Sequence, residues 1–174
     1  YRTGSNSHCL LSCFDSNKKF LFIPKNGQVV FRAMLRLTKG SYADDMHRKK
    51  IQFADLSGAG KPKEEEGEEL VLFLERYYEK NLAYEEQDQA VYLAFVAAKE
   101  KAKKLGARLV LSCYYQDDVK TKEYIKSNYY LYISKSKNGS QYLDSLYGEA
   151  SVSDSGDYSS NIFLLENKDQ EVAA

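Results

Sequence analysis

The chain has 174 residues, and its composition, 43% hydrophobic and 29% charged, is that of an ordinary soluble globular domain. Its 25 basic residues balance 25 acidic ones, which excludes a strong general attraction to nucleic acid or to an anionic membrane surface. No apolar run approaches the roughly 18 residues that a membrane span needs. We therefore expect a single domain, residues 1–174, with no membrane contact and no nucleic acid as a dedicated target. Because the chain opens on Tyr1 and not on Met, we also expect it to be part of a larger protein.

The opening segment GSNSHCLLSC brings His8, Cys9 and Cys13 close together in a polar loop. With Cys113 the chain has three cysteines, and an odd number favours a reducing, cytoplasmic location over a disulfide framework. Structural zinc needs four ligands, and adjacent His8 and Cys9 point to opposite sides of an extended chain, so we predict no metal site. Cysteines most often act as small buried hydrophobic residues. Cys9 is nevertheless a candidate nucleophile if His8 or His47 serves as its base.

A β-hairpin is predicted over residues 18–37. The strand-like run KKFLFI, residues 18–23, is followed by PKNGQ, whose Asn26-Gly27 dipeptide is typical of a two-residue hairpin turn. The next run, VVFRAMLRL, then alternates between two faces. One face carries apolar residues and the other carries both arginines: Val29, Phe31, Ala33, Leu35 and Leu37 against Val30, Arg32, Met34 and Arg36.

A polar connector is predicted for residues 38–69. It ends in GAGKPKEEEGEE, whose glycines, proline and glutamates are typical of an exposed loop. The stretch GAGKP superficially resembles a phosphate-binding loop, but the Gly-Lys-Ser/Thr sequence and the preceding strand are missing. We therefore predict a solvated connector that binds no nucleotide.

A strand–helix–strand unit is predicted at the centre of the domain. The run LVLFLE, residues 70–75, suits a strand covered on both faces, and ARLVLSCYY, residues 107–115, suits a second one. Between them, residues 85–105 predict an amphipathic helix that begins with acidic residues, ends with lysines and stops at Gly106. Such a crossover usually makes the two strands parallel. The helix face toward the sheet is expected to carry Val91, Ala94, Phe95, Ala98, Ala102 and Leu105.

The remaining chain predicts a short helix and further strands. Residues 117–126 favour the helix, NYYLYIS at 128–134 favours a strand, and NIFLLE at 161–166 favours the last strand. The run QYLDSLYG, residues 141–148, fits a strand or a short helix, and GEASVSDSGDYSS at 148–160 predicts a loop.

Together these elements predict an α+β fold whose core spans residues 70–166. The sheet is expected to be mixed but mainly antiparallel, with one long helix and one or two short helices packed on it.

A basic patch is predicted on the hairpin. Arg32 and Arg36 share one strand face, and Lys18 and Lys19 lie on the neighbouring strand. Solvation of surface charge is the simpler interpretation. The sharper one is an anion or peptide site, in which the two arginines contact the ligand and nearby tyrosines stack on it.

The end of the second central strand supplies Ser112 and Tyr114, which we predict to line a ligand site. Carboxylates also lie near predicted strand ends, but none has a spacing diagnostic of acid–base catalysis. They are Asp15, Glu75, Asp117, Asp118 and Asp144.

The order of elements resembles the fold of the GCN5-related N-acetyltransferase family, over about residues 18–166. That family often ends its short helix with Tyr-x-Lys-x-Gly-Phe, and YIKSNY here has Tyr124, Lys126, Asn128 and Tyr129. The resemblance implies Tyr124 as a general acid and acetyl-CoA as the cofactor. The chain departs from the family because no glycine-rich loop opens the long helix, and acidic residues crowd the place where an anion would bind. The resemblance therefore implies an acyltransferase-like fold whose cofactor site is lost or altered.

Two hypotheses about function remain open. The first is a non-catalytic binding or interaction domain with a degenerate acyltransferase-like fold, without a cofactor and with a protein or a small molecule as its partner. The alternative is an enzyme, either an acyl-CoA-dependent N-acyltransferase with an atypical cofactor loop or a cysteine-dependent enzyme. The opening hairpin also resembles uncharacterised proteins of phages and conjugative elements, which implies no activity.

Overall fold

The computed structural model of the chain describes residues 15–42, 69–115, 129–133, 147–148, 156–160 and 163–164. The strands in these ranges are β1 (Lys18–Lys25), β2 (Gln28–Tyr42), β3 (Glu69–Leu74), β4 (Tyr78–Glu79), β5 (Arg108–Leu111), β6 (Tyr129–Ile133), β7 (Tyr147–Gly148), β8 (Gly156–Ser160) and β9 (Phe163–Leu164). The helix α1 spans Tyr84–Leu105, and a 3₁₀ turn follows β5 at Cys113–Tyr115. The strands form one mixed sheet in which only the pairing of β3 with β5 is parallel. The predicted α+β class with a mainly antiparallel sheet is confirmed.

The hairpin predicted at residues 18–37 is present as β1 and β2. The two strands pair from Lys18 opposite Arg36 down to the turn. Asn26 and Gly27 form that turn with φ angles of 52° and 76°. Positive φ at both central residues is the geometry that matches the twist of the flanking strands.

The strand β2 is longer than its alternating pattern indicates, because it continues to Tyr42. Its far half has a partner on each side, since Gly40 pairs with Glu69 of β3 and with Leu131 of β6. These long-range pairings satisfy the backbone groups of a segment whose polar composition does not predict a strand. The strand thus takes up the first residues of the connector predicted at 38–69.

The predicted strand–helix–strand unit is confirmed as β3, α1 and β5. The two strands run parallel, with Leu72 opposite Leu109. The helix ends at Gly106, whose φ of 61° is left-handed and suits a residue without a Cβ atom. The N–H of Ala107 donates to the carbonyl of Ala102 at 3.0 Å, which closes the last turn.

The hydrophobic core lies between α1 and one face of the sheet. The helix contributes mainly alanines, which allow its backbone to lie close to β3 and β5, and Phe95 adds bulk. Leu105, predicted on this face, is 37% exposed at the helix end, so the buried stripe stops at Ala102. The sheet side of this core consists of Phe31, Ala33, Leu35, Leu72, Leu74, Leu109 and Leu111.

The opposite face of the sheet is also buried along its centre. Arg36 pairs with Phe73, and Phe73 pairs with Val110, so the three side chains form one cross-strand row on that face. All three are buried. A buried arginine within an apolar row needs a charged partner, and that partner forms part of the candidate site.

The C-terminal strands agree with the sequence in part. β6 and β9 lie within segments predicted as strands, and β7 forms the last two residues of the run that fitted either type. β8 lies in the segment predicted as a loop, and that prediction is wrong there because β8 pairs with β6 from Tyr129–Ser160 to Ile133–Gly156. Pairing with a neighbour outweighs the low strand propensity of Gly, Ser and Asp. The short helix predicted at 117–126 lies outside the described residues.

Candidate functional site

The carboxyl ends of β3 and β5 lie side by side, and the residues that follow them, Glu75 and Ser112, are both buried. The N–H of Ser112 donates to the carbonyl of Leu74 at 2.9 Å and carries the pairing past the strands. The hydroxyl of Tyr115 donates to the carbonyl of Glu75 at 3.1 Å. Strand alternation places Glu75 and Ser112 on the face away from α1. Ligand sites of sheets with parallel strands tend to lie at this end.

A set of charged side chains is buried beside this strand end. Arg36 and Glu75 are 1% and 2% exposed, and the Arg36 Nε atom lies 2.5 Å from the Glu75 Oε1 atom. Lys18, opposite Arg36 in the hairpin, is also buried, and its Nζ lies 3.1 Å from Asp15 Oδ2. Burial lowers the pKa of Lys18, repulsion from Arg36 lowers it further, and Asp15 and Glu75 oppose the change. We call Asp15, Lys18, Arg36 and Glu75 the buried ionic cluster.

The hydroxyl of Ser112 has no solvent exposure, and its Oγ finds no hydrogen-bond partner among the described residues. A buried polar group left without a partner costs about 1–3 kcal/mol. The end of β5 is therefore a place where a bound water or ligand atom would be stabilised.

Exposed and half-buried aromatic rings and arginines lie on the same sheet face, toward the hairpin turn. Arg32 pairs with Phe22 of β1 on one side and with Tyr78 of β4 on the other, so the three side chains share a face. The guanidinium carbon of Arg32 lies 4.9 Å from the Tyr78 ring centre. That of Arg76 lies 5.3 Å from the same ring and 4.3 Å from the Tyr114 ring, and its Nη1 donates to the Tyr114 hydroxyl at 3.2 Å. We call these five residues the arginine–aromatic row.

Stacking in the row orients the guanidinium groups. Each cation–π contact at an exposed site contributes about 0.5–1 kcal/mol and holds the guanidinium plane against the ring. The N–H groups at the edge of that plane form a fork that fits a carboxylate or a phosphate. Arg32 is exposed, and Tyr114 is 40% exposed. The row is therefore suited to anion recognition.

An apolar groove borders the row near the hairpin turn. Phe22 is 55% exposed and stacks on Phe20, with ring centres 5.6 Å apart. The groove has a volume of about 490 Å³. Its walls include Phe22, Val29, Val30, Arg32 and Tyr78.

Four predicted site residues lie in this region. Arg32 and Tyr114 belong to the row, and Ser112 lies at the end of β5 beside Glu75. Arg36 shares the face of Arg32 as predicted, but it is buried and pairs with a carboxylate of the chain itself. Their roles as ligand contacts remain predictions.

The other two predicted site residues, Cys9 and Tyr124, lie outside the described residues, and their catalytic roles remain predictions. Sequence reasoning missed Arg76 and Tyr78. Their position in the sequence could have indicated them. The segment ERYYE directly follows a strongly apolar strand, and sites tend to form at the ends of such strands.

No family model matches the chain, and neither a curated protein nor a solved structure does. Within the described ranges, no three or more His, Cys, Asp or Glu side chains are grouped to hold a metal ion. No helix in those ranges has the length and hydropathy of a membrane span. The fold and the site therefore define the protein as an α+β domain with a buried ionic cluster and an arginine–aromatic row whose Arg32, Phe22 and Tyr114 are exposed.

Proposed function

We propose that the chain is a non-catalytic binding or interaction domain, and that the arginine–aromatic row contacts its partner. One observation carries the proposal, the alternation of two arginines with three aromatic rings on an accessible sheet face. Arg, Tyr and Phe are enriched at interface centres because they combine large contact area with directed hydrogen bonds. A single exposed ring is ordinary, whereas a contiguous row beside an apolar groove indicates a contact surface.

The buried ionic cluster supports this proposal because it lies next to the row and links the segments that carry it. Arg36 and Arg32 lie four residues apart on one face of β2, the first buried and the second exposed. The Arg36–Glu75 pair links β2 to the end of β3, immediately before Arg76 and Tyr78. We assign the cluster the role of holding β2 and the segment after β3 in place, so that the row keeps its geometry.

Replacing Tyr114 by alanine is expected to weaken partner binding by about tenfold or more, since interface tyrosines often contribute over 1.4 kcal/mol. The probe is a displayed library of random peptides selected on the folded chain, followed by titration of the selected peptides. Tyr92→Ala is the matched control, because Tyr92 on α1 has nearly the same exposure, 41% against 40%. If no peptide is selected, or if the selected peptides bind Tyr114→Ala and Tyr92→Ala equally, the row is not the contact surface.

A second candidate, acyl-CoA-dependent N-acyltransfer, is favoured by one observation. The parallel strands β3 and β5 end side by side at the buried Ser112 hydroxyl, and the resemblance to the acyltransferase fold implies acetyl-CoA as the cofactor. The start of α1 opposes it, because the Glu86 carboxylate accepts the Ala83 N–H at 3.1 Å. A carboxylate there competes with a pyrophosphate for the helix N-terminus.

Titration of the chain with acetyl-CoA is therefore expected to give no saturable heat and no rise in the unfolding midpoint. A bound ligand at 100 times its dissociation constant would stabilise the fold by about 2.7 kcal/mol, which thermal unfolding detects easily. Saturable binding that Ser112→Ala weakens would replace the binding-domain proposal by the acyltransferase one.

A further inference from the structure

We infer that the partner is a protein with an acidic segment, whose carboxylates bind Arg32 and Arg76 while a neighbouring apolar side chain enters the groove beside Phe22. The inference rests on the proposed function, since it names the class of partner that the arginine–aromatic row binds.

Arg32 carries the first part of the argument. It forms no ion pair with any residue in the described ranges, whereas Arg36 and Arg108 each pair with a glutamate. Its guanidinium group lies over the ring of Tyr78, which orients the group without neutralising it. An oriented and exposed fork of this kind binds a carboxylate with two parallel hydrogen bonds.

The second arginine adds positive charge beside the same ring. Arg32 and Arg76 both lie within 5.3 Å of the centre of one ring, that of Tyr78. A carboxylate bound to Arg32 therefore also interacts favourably with the positive charge of Arg76. An acidic segment is therefore expected to bind beside both arginines better than it would bind Arg32 alone.

The surroundings favour an acidic protein segment over a nucleic acid. The faces of Tyr78 and Tyr114 are stacked against guanidinium groups, which leaves less ring surface for stacking on bases. The groove beside the row is mostly apolar, so it suits an apolar side chain of a protein segment better than the charged backbone of a nucleic acid. The chain has no net charge to attract a phosphate backbone.

Two displayed peptide libraries of equal length test the inference. In one, every random position is Asp, Glu or an apolar residue, and in the other it is Asn, Gln or the same apolar residues. We expect binders from the acidic library alone. Arg32→Gln is expected to weaken them by about tenfold or more, and Arg32→Lys nearly as much because lysine lacks the planar fork. Lys103→Gln on the exposed surface of α1 removes the same charge and is the control.

The outcomes separate this inference from the proposed function. Binders from the neutral library that Tyr114→Ala weakens would leave the row as a contact surface and overturn the acidic partner. Binding of a single-stranded oligothymidylate that competes with the acidic peptides would overturn it in favour of a nucleic acid. If Arg32→Gln and Lys103→Gln weaken the acidic binders equally, the binding reflects general charge attraction. That result would also overturn the inferred acidic partner. An absence of binders from both libraries would overturn both proposals.

Discussion

Replacing Glu75 by alanine is expected to lower the free energy of unfolding by about 3–5 kcal/mol, a large part of the stability of a domain of this size. The substitution removes the carboxylate that lies 2.5 Å from Arg36 and leaves the buried guanidinium charge in place. Charge buried in a protein interior cannot recover its hydration, which is why removal of one partner costs more than the pair contributes. Urea denaturation followed by circular dichroism measures the change.

The chain contains a matched control for this substitution. Glu69 and Arg108 form an ion pair between the same two atom types, and both pairs join residues 39 positions apart. The control pair differs in exposure, since its side chains are 32% and 23% exposed. Solvent screens such a pair, so Glu69→Ala is expected to cost about 1 kcal/mol or less. Equal losses from Glu69→Ala and Glu75→Ala would contradict the importance of burial.

The double variant Arg36→Met/Glu75→Leu separates the pair from the buried charge. It replaces both ionic side chains by apolar ones of similar size, and it also removes the repulsion between Arg36 and Lys18. Such replacements are often neutral or stabilising. We expect the double variant to recover most of the stability lost in Glu75→Ala, and a double variant as unstable as the single one would contradict this account.

Much of the fold could be predicted because its signals are local. Asn26-Gly27 determines a hairpin turn, the stripe on α1 has helical period, and Gly106 provides the left-handed residue that ends the helix. The second half of β2 and all of β8 could not be predicted in the same way. Their strand conformation depends on partners distant in the sequence, and neither segment has the apolar alternation that indicates a buried face.

The candidate site was predictable only in fragments. Alternation correctly placed Arg32 and Arg36 on one face, but it could not show that one is exposed and the other buried. That difference depends on Glu75, which lies 39 residues from Arg36 in the sequence and pairs with it in the folded chain. Arg76 and Tyr78 acquire their roles through cross-strand contacts with Arg32 and Tyr114 that no local pattern encodes.

The separation between the ionic cluster and the row has a practical consequence. Arg32 is exposed and its guanidinium group contacts the Tyr78 ring, so its replacement is expected to change stability by no more than about 1 kcal/mol. Binding variants can therefore be compared on folded protein. Loss of binding in Arg32→Gln would then report the contact itself and not unfolding.

Alkaline pH is expected to destabilise the chain through Tyr115. Burial raises the pKa of the Tyr115 phenol well above its usual value of 10.0, and nearby Tyr77 and Glu75 raise it further. The folded chain therefore keeps a proton that the unfolded chain releases once the pH passes 10.0. The contribution of Tyr115 to stability is complete below that pH and falls above it by about 1.4 kcal/mol per pH unit.

The variant Tyr115→Phe isolates this effect in urea denaturation from neutral pH to about pH 12. It loses the hydrogen bond to the Glu75 carbonyl, so at neutral pH it is expected to be less stable than the unaltered chain by about 1 kcal/mol. Above about pH 11 the order is expected to reverse, because phenylalanine has no proton to release. The lowered pKa of Lys18 makes stability rise with pH up to 10.5, but this contribution is common to both proteins and cancels in their difference.

Val110→Ala is the control, because it adds or removes no ionisable group. Its free energy of unfolding should differ from that of the unaltered chain by the same amount at every pH. A difference for Tyr115→Phe that is equally constant would show that the phenol ionises in the folded chain as readily as in the unfolded one.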